Sequence, residues 1–587
     1  MHRPEFNTLL PAGISAKAKA LEVPTHSEGQ LPYGNGAFQI RVLVSLTIAM
    51  GTYALHYESF RITAGVMDHW CRRPDYFANL TVLQWKQLAI PLDEPGEFSR
   101  CTVREPPDAD NATRVVPCTS GEFNLEQFGN NIVSELNLVC ERRWLIEVAR
   151  LVYFCTCIVS LLLFGVLADQ VGRKTVVFVT IPVVFLSGVG SSVPNDFQFF
   201  VAVRAIVAAS TSALVPPMIA LFYEVTPDSR IPLYITAASL FSIVLTLPTL
   251  FFAQPFPAGW ATLQLMLMVP TCLLVLLYYC IDESPDWLLA TGKVKEAERV
   301  ALRAANVNKA SLQLCREMLG QHQLEAQADS VGASKKSDLC GSHLRPRIVL
   351  LAFMWTAVSY AYDTFVVNDG VHISGAMTSI AYTLSALACL LLVPCLVRHG
   401  FRSIVIASGL AFGTSFAVLA ISYSQDETMM QNCLVIFMRV SGSICFTSFV
   451  SQAAGAYPIM THSRGAAWNL AFSRIGDTLG QTSTALLEGR HTDLRLAVAA
   501  ALLALFVIVA QGLPYEHDWV LQGSSTCGPK CSAPYKVEVK RAMQDTLVPL
   551  PKEPVKRRDT NTSNRVSLAP EQYSTYSIQR SQTPSLW

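Results

Sequence analysis

The chain is predicted to be an all-α integral membrane protein, with about twelve transmembrane helices in two six-helix bundles. Three observations carry that expectation. Of its 587 residues, 51% are hydrophobic and only 15% charged, against about 25% charged in an ordinary soluble domain. Apolar runs of about 20 residues, enough to cross a bilayer as a helix, recur along the sequence. A polar stretch over 282–346 divides those runs evenly, which implies two bundles facing each other across a central site.

The first six runs fall near 38–57, 147–167, 175–194, 197–222, 232–253 and 260–281. The second six fall near 347–367, 374–396, 403–423, 430–454, 464–485 and 492–513. Several hold Pro or Gly, which membrane helices tolerate. Met1–Gly36 is polar and has no short apolar core of the kind a cleavable signal needs, so span one is expected to act as an uncleaved insertion signal. The expected organisation is a tail at 1–37, a first bundle at 38–281, a central loop at 282–346, a second bundle at 347–513 and a disordered tail at 514–587. That last segment is polar, rich in Ser and Thr, and carries Lys556-Arg557-Arg558.

Between spans two and three lies Gly165-Val166-Leu167-Ala168-Asp169-Gln170-Val171-Gly172-Arg173-Lys174. One acid and two bases at that point cannot sit in hydrocarbon, so the segment is a tight turn at a membrane face. Arg173/Lys174, Arg230, Arg398/Arg402 and Arg464 fall on alternate turns, on the same side as the central stretch and both tails. The positive-inside bias makes that side the cytoplasm. Only Arg490 and Arg495, near the last outside turn, run against the trend.

The long connection Glu58–Trp144 is then extracellular. It holds Cys71, Cys101, Cys118 and Cys140, and sequons at Asn79-Leu80-Thr81 and Asn111-Ala112-Thr113. Four cysteines in an oxidising compartment imply two disulfides, with three pairings open. Together these features point to a folded, glycosylated ectodomain. Cys155, Cys157, Cys272 and Cys389 lie in apolar spans and read as packing; no spacing resembles a zinc site, and no metal or cofactor is expected.

In order and spacing these motifs resemble the organic cation, anion and carnitine transporters, a branch of the major facilitator superfamily, over nearly all of 38–515. The residues that carry the resemblance are the cysteine-bearing loop, Asn137-Leu138-Val139-Cys140-Glu141, the signature at 165–174, and Asp282-Glu283-Ser284-Pro285-Asp286-Trp287-Leu288-Leu289. In the family the last motif usually has arginine where this chain has Asp286. Other departures cluster in the second half. The repeat of the signature, Leu396-Val397-Arg398-His399-Gly400-Phe401-Arg402, lacks its aspartate. The glycines that follow Arg204 in span four are replaced by Ala205, Ala208, Ala209 and Ser210, still small enough for close helix approach. Glu224 and Arg230 match the family's glutamate-to-arginine pair. At the twin position Gly455 replaces the glutamate, Tyr457-Pro458 remains, and Arg464 comes late, with His462 nearer its place.

The resemblance implies a gate built from Gly165, Asp169, Gly172, Arg173, Lys174, Arg204, Glu224, Arg230 and Arg464; the plainer alternative is that these residues only anchor loops at the interface. For the substrate site, intramembrane charge is the lead. Arg474 and Asp477 in span eleven either contact substrate or neutralise each other at i, i+3. Relatives that carry anions or zwitterions tend to have arginine at the position of Arg474, which implies a carboxylate-bearing substrate. Their second basic residue, in span eight, is missing, with Cys389 near its place. Trp355, Tyr360, Tyr362 and Phe365 match the family's aromatic span seven, and aromatic faces suit flat organic ions. Asp363 in that span is a cation partner, a partner of Arg439 or Arg474, or a solvated surface group. His56 and Glu58 at the outer end of span one either form an entry site or are solvated in the loop, the latter being the expectation.

No phosphate-cradling glycine loop supports ATP drive, nothing supports an enzyme, and no basic-aromatic stripe suggests nucleic acid. Two functional classes stay open. One is a plasma-membrane carrier for small organic ions, anions or zwitterions before cations, working in the lipid bilayer with an oligomeric state the sequence leaves undetermined. The other is a non-transporting receptor or orphan relative that kept the fold.

Overall fold

A computed structural model describes residues 31–512, apart from 239–258, 321–344, 365–374 and some shorter stretches. Both tails, most of span five, Phe365 and the sequon at Asn111 lie outside the described residues.

Helix α1 (Ala37–Thr63) leads into the ectodomain. There β1 (His69–Cys71), α2 (Val82–Ala89), β2 (Leu92–Asp93), β3 (Glu97–Phe98), β4 (Thr102–Glu105), β5 (Arg114–Pro117), β6 (Gly121–Phe123) and α3 (Ile132–Glu135) follow in order. The strands form three antiparallel two-stranded pairs, β1 with β6, β2 with β3, and β4 with β5. Two-stranded ribbons are marginal alone, and two devices hold these together. Trp70, Trp85, Ala89 and Ile90 form a small buried core, and disulfides join Cys71 to Cys118 and Cys101 to Cys140. Thr81 accepts from the Gln84 backbone N–H and caps α2, which leaves Asn79 exposed beside it.

The first half continues with α4 (Trp144–Val171), α5 (Arg173–Gly190), α6 (Phe197–Val225), α7 (Trp260–Met268) and α8 (Leu277–Cys280). Gly172 ends α4 with a φ of 109°, a backbone only glycine adopts freely, so one residue separates two long helices. Asp196 caps α6 through the Phe199 N–H. Between α7 and α8 the chain tightens into a 3₁₀ stretch, Val269–Leu276, where Pro270 removes a helical donor. On the signature side follow α9 (Pro285–Ala290) and α10 (Val294–Val307); α9 is capped by Ser284 with Pro285 at its first position.

The second half holds α11 (Arg345–Tyr362), α12 (Gly375–Ser422), α13 (Thr428–Ala454), α14 (His462–Leu486) and α15 (Thr492–Gln511). Here the structure departs from the expected turn at 397–402: α12 is one helix of 48 residues. At 1.5 Å per residue it is about 72 Å long, two crossings' worth of chain. Eight helices among the described residues are long and apolar enough to cross a membrane. Helices α11 and α14 are not among them: α11 opens on the polar run Arg345-Pro346-Arg347, and α14 carries Arg464, Arg474, Asp477 and many small polar residues.

Each half buries its own apolar cluster. In the first it gathers Phe38, Val42, Leu46, Val177, Ile181 and Leu214; in the second, Met354, Trp355, Phe412, Phe416, Phe449 and Phe506. The halves meet where α4 runs along α14, with Leu161 against Ala467 and Ala471.

Candidate functional site

Two clusters of charge lie at the seam between the halves. The first surrounds the signature turn. The Asp169 carboxylate accepts from the backbone N–H groups of Ser463 (3.2 Å) and Arg464 (3.0 Å), at the start of α14. A carboxylate there meets unsatisfied amides and the positive end of the helix dipole. Arg173 is fully buried and reaches both Asp169 (3.4 Å) and Glu224 (2.8 Å). His462 Nδ1 approaches Glu224 at 3.4 Å, and Arg464 Nε lies 3.9 Å from Asp169. A Cβ on Gly165 would collide with Ala467, so that glycine sets how closely α4 meets α14.

The D-E-S-P-D-W motif forms the floor of this cluster. Glu283 accepts from the backbone N–H groups of Arg173 and Lys174 (3.1 Å each), and Trp287 Nε1 donates to the Asp169 carbonyl at 3.0 Å. A Cβ on Gly172 would run into the Glu283 carboxylate. Lys174 Nζ lies 3.6 Å from Asp282. Burial pushes the Glu283 carboxyl up, and burial followed by the charge of Glu224 pushes Asp286 up to about 7.

Two of the sequence-derived residues stand outside this cluster. Arg230 is exposed, and Glu224 pairs with Arg173 and His462 instead of with it. The residues between them end α6 at Val225, so Arg230 lies beyond the helix on which Glu224 is held. Arg204 is also on α6, but 20 residues before Glu224, roughly 30 Å up the helix.

The second cluster lies at the middle of the seam. Arg474 pairs with Asp477 at 2.8 Å, and its guanidinium lies over the rings of Tyr53 (5.5 Å) and Tyr57 (5.3 Å) from α1. The Tyr57 hydroxyl donates to Asp363 at 3.0 Å, and Gln481 Nε2 donates to the same oxygen at 3.4 Å. Asp363 is buried, not solvated, and Ser359 and Ser473 share a hydrogen bond of 2.7 Å nearby. This geometry depends on two glycines. A Cβ on Gly476 would strike the Thr356 carbonyl, and one on Gly480 would come within 3.2 Å of Asp363, so α11 and α14 touch backbone to backbone.

The aromatics of span seven divide. Trp355 is 2% exposed and packs on Phe446 and Phe449, inside the second-half core. Tyr360 reaches Ser483 at 3.4 Å, and Tyr362 is half-buried beside Phe446. His56 departs from the solvated expectation: it is fully buried, because α1 continues to Thr63 and leaves it inside the helix.

A model of the Major Facilitator Superfamily matches residues 145–481, more than half of the chain. The chain belongs to the major facilitator superfamily. Within it, this member is similar to human solute carrier family 22 member 13, at 24% identity over 82% of the chain and 89% of that protein. It is also similar to a beta-alanine transporter of Drosophila melanogaster, at 24% over 75% and 78%. An organic cation transporter protein of the same fly matches at 27% over 64% and 69%. Among solved structures the fold resembles the proton:xylose symporter XylE bound to 6-bromo-6-deoxy-D-glucose, with a TM-score of 0.59 and 14% identity over 81% of this chain and 96% of that one.

Tyr53 and Tyr57 of this superfamily member were not legible as site residues. Their i, i+4 spacing on span one was the available signal.

Proposed function

We propose that the chain is a plasma-membrane carrier that moves a small organic anion or zwitterion by alternating access, by facilitated diffusion or exchange. The observation that supports it is the central cluster, where Arg474 sits at the seam under an aromatic roof contributed by the other half. A substrate carboxylate exchanges for Asp477 on the guanidinium, whose planar fork suits two oxygens. Two acids, Asp477 and Asp363, then face one arginine, which favours a substrate that also brings a positive group. The similarity to a protein named for beta-alanine, a zwitterion, agrees. Asp169, Arg173, Glu224 and Arg464 act as the gate on the signature side, with Gly165 and Gly172 allowing the close contact and Lys174 tethered to the central loop. That side is the cytoplasm, and both tails lie there. The loop 58–144 is an extracellular, glycosylated, disulfide-bonded ectodomain.

Uptake of labelled anion, zwitterion and cation panels into proteoliposomes tests this, with Arg474→Ala as control. Accumulation of a zwitterion or anion, lost in the control, is expected. Cation accumulation that the control matches overturns the anion and zwitterion reading. The non-transporting receptor reading has one specific observation in its favour, the helix α12 that runs unbroken through 397–402 where a second gating turn would lie. Failure of every panel member to accumulate above empty vesicles would favour it over the carrier.

A further inference from the structure

A second arginine is buried in the first half, and its surroundings are unlike those of Arg173 or Arg474. Arg204 is 5% exposed, held between the rings of Phe60 (4.9 Å) and Tyr153 (4.7 Å). Its only hydrogen bonds among the described residues come from Nη1, to the His56 carbonyl at 3.4 Å and Ser59 Oγ at 3.2 Å. Among the described residues each ion pair joins other side chains, and none of their carboxylates lies within 4.0 Å of Arg204. A guanidinium has five N–H donors, and among the described residues Nη2 and Nε have no acceptor. Burying such a charge without a counter-charge is costly, and aromatic faces offset only part of the cost while satisfying none of the donors.

The neighbouring hydroxyl is also unused. Tyr153 is 3% exposed, and its Oη makes no hydrogen bond; nearby Thr211 donates its own proton to the Val207 carbonyl at 2.7 Å. The Arg204 guanidinium thus covers the ring of a buried tyrosine whose own hydroxyl has no hydrogen-bond partner among the described residues.

We propose that Arg204, Tyr153 and Ser59 form a second anion-binding centre, in the first half and separate from Arg474, that takes a carboxylate. A planar carboxylate accepts from the free edge of the guanidinium through both oxygens and from the tyrosine hydroxyl through one of them. The proposal rests on the anion or zwitterion reading above. It adds that this chain supplies from span four the second positive centre that is missing from span eight, and that a substrate carboxylate passes between the two arginines by way of Tyr153.

The test uses the full chain in lipid nanodiscs, with benzoate as probe and melting temperature as readout, in an Arg474→Gln background that removes the central site. Benzoate is expected to raise the melting temperature of Arg474→Gln. The affinity should fall about tenfold on adding Tyr153→Phe, as for one lost hydrogen bond to a charged group. Arg204→Lys, which keeps the charge but not the fork, should weaken it similarly, and Arg204→Gln should abolish it. If Arg204→Gln does not fold, the two milder variants carry the test. Equal benzoate affinity with and without those changes overturns the proposal, as does chloride alone producing the same stabilisation and displacing benzoate. If benzoate binds as described while wild type transports no anion or zwitterion, the second centre stands and the transport reading falls.

Discussion

Replacing Asp169 by Asn keeps the shape of the side chain and removes its charge. In the structure that carboxylate gathers two backbone N–H groups of α14, one from each of Ser463 and Arg464, and a buried arginine. An amide supplies one acceptor oxygen and turns an N–H toward the second donor, so at least one charge-assisted bond is lost across the seam. A hydrogen bond to a charged group contributes about 1.5–3 kcal/mol, and a charge at a helix end contributes about 0.3–1 kcal/mol when exposed and up to about 2 kcal/mol when partly buried. A net loss of about 2–3 kcal/mol shifts the closed-to-open ratio by roughly 30- to 150-fold. Ser463→Cys provides the reporter, because Ser463 is fully buried at this seam and the change is nearly isosteric. Labelling of the introduced thiol by a membrane-impermeant reagent applied to the signature side should be slow in the parent and accelerate by that factor in Asp169→Asn. The chain that keeps Ser463 serves as the blank. Labelling that stays within twofold of the parent would refute the reasoning, since the carboxylate would then contribute nothing to closure.

Three further outcomes are expected. Gly172→Ala forces a side chain into a φ of 109° and against Glu283, so it should lower the melting temperature more than Glu283→Gln does; the reverse order would contradict the geometry. Cys101→Ser opens a disulfide between residues 39 apart, which loop-closure entropy values at about 4 kcal/mol, and should make the 58–144 loop readily cleaved by trypsin on intact cells, where an unchanged cleavage rate would count against it. Asp286 has a folded pKa of about 7, above its unfolded value, so the native state keeps a proton that the unfolded chain releases. The contribution of Asp286 to stability is therefore largest at acid pH, falls between about pH 4 and 7, and is flat above. Asp286→Asn should melt higher than wild type at pH 8 and match it near pH 4, and a constant difference across that range would remove the titration from the account.

Much of the architecture was legible because it follows from local pattern. Hydrophobic length marks the spans, and a glycine flanked by charges marks the turn at Gly172. The Arg474–Asp477 pair is an i, i+3 relation on one helix, visible in the sequence itself. What escaped depends on contacts between distant segments. Glu224 lies 51 residues from Arg173, and nothing local favours that arginine over Arg230 as its partner. The disulfide pairing has three equal solutions from spacing, and only the strand pairing β1–β6, which brings Cys71 beside the end of β6, separates them. Gly476 and Gly480 did carry a signal, since small residues four apart mark close helix contact in membranes. The turn expected at 397–402 rests on the break between apolar runs, on charge and on the worn repeat of the signature, while only Gly400 among those residues disfavours helix.

The contact of α11 with α14 has a consequence for release. With bare backbone pressed on backbone at Gly476 and Gly480, Asp363, Arg474 and Asp477 ride on one slab, and tilting that slab alters none of the separations among them. The tyrosine canopy from α1 belongs to the opposite body, and the Tyr57 hydroxyl reaches across to Asp363. Cargo held by those three charges would leave by being uncovered, with its ionic grip unchanged until water arrives to loosen it.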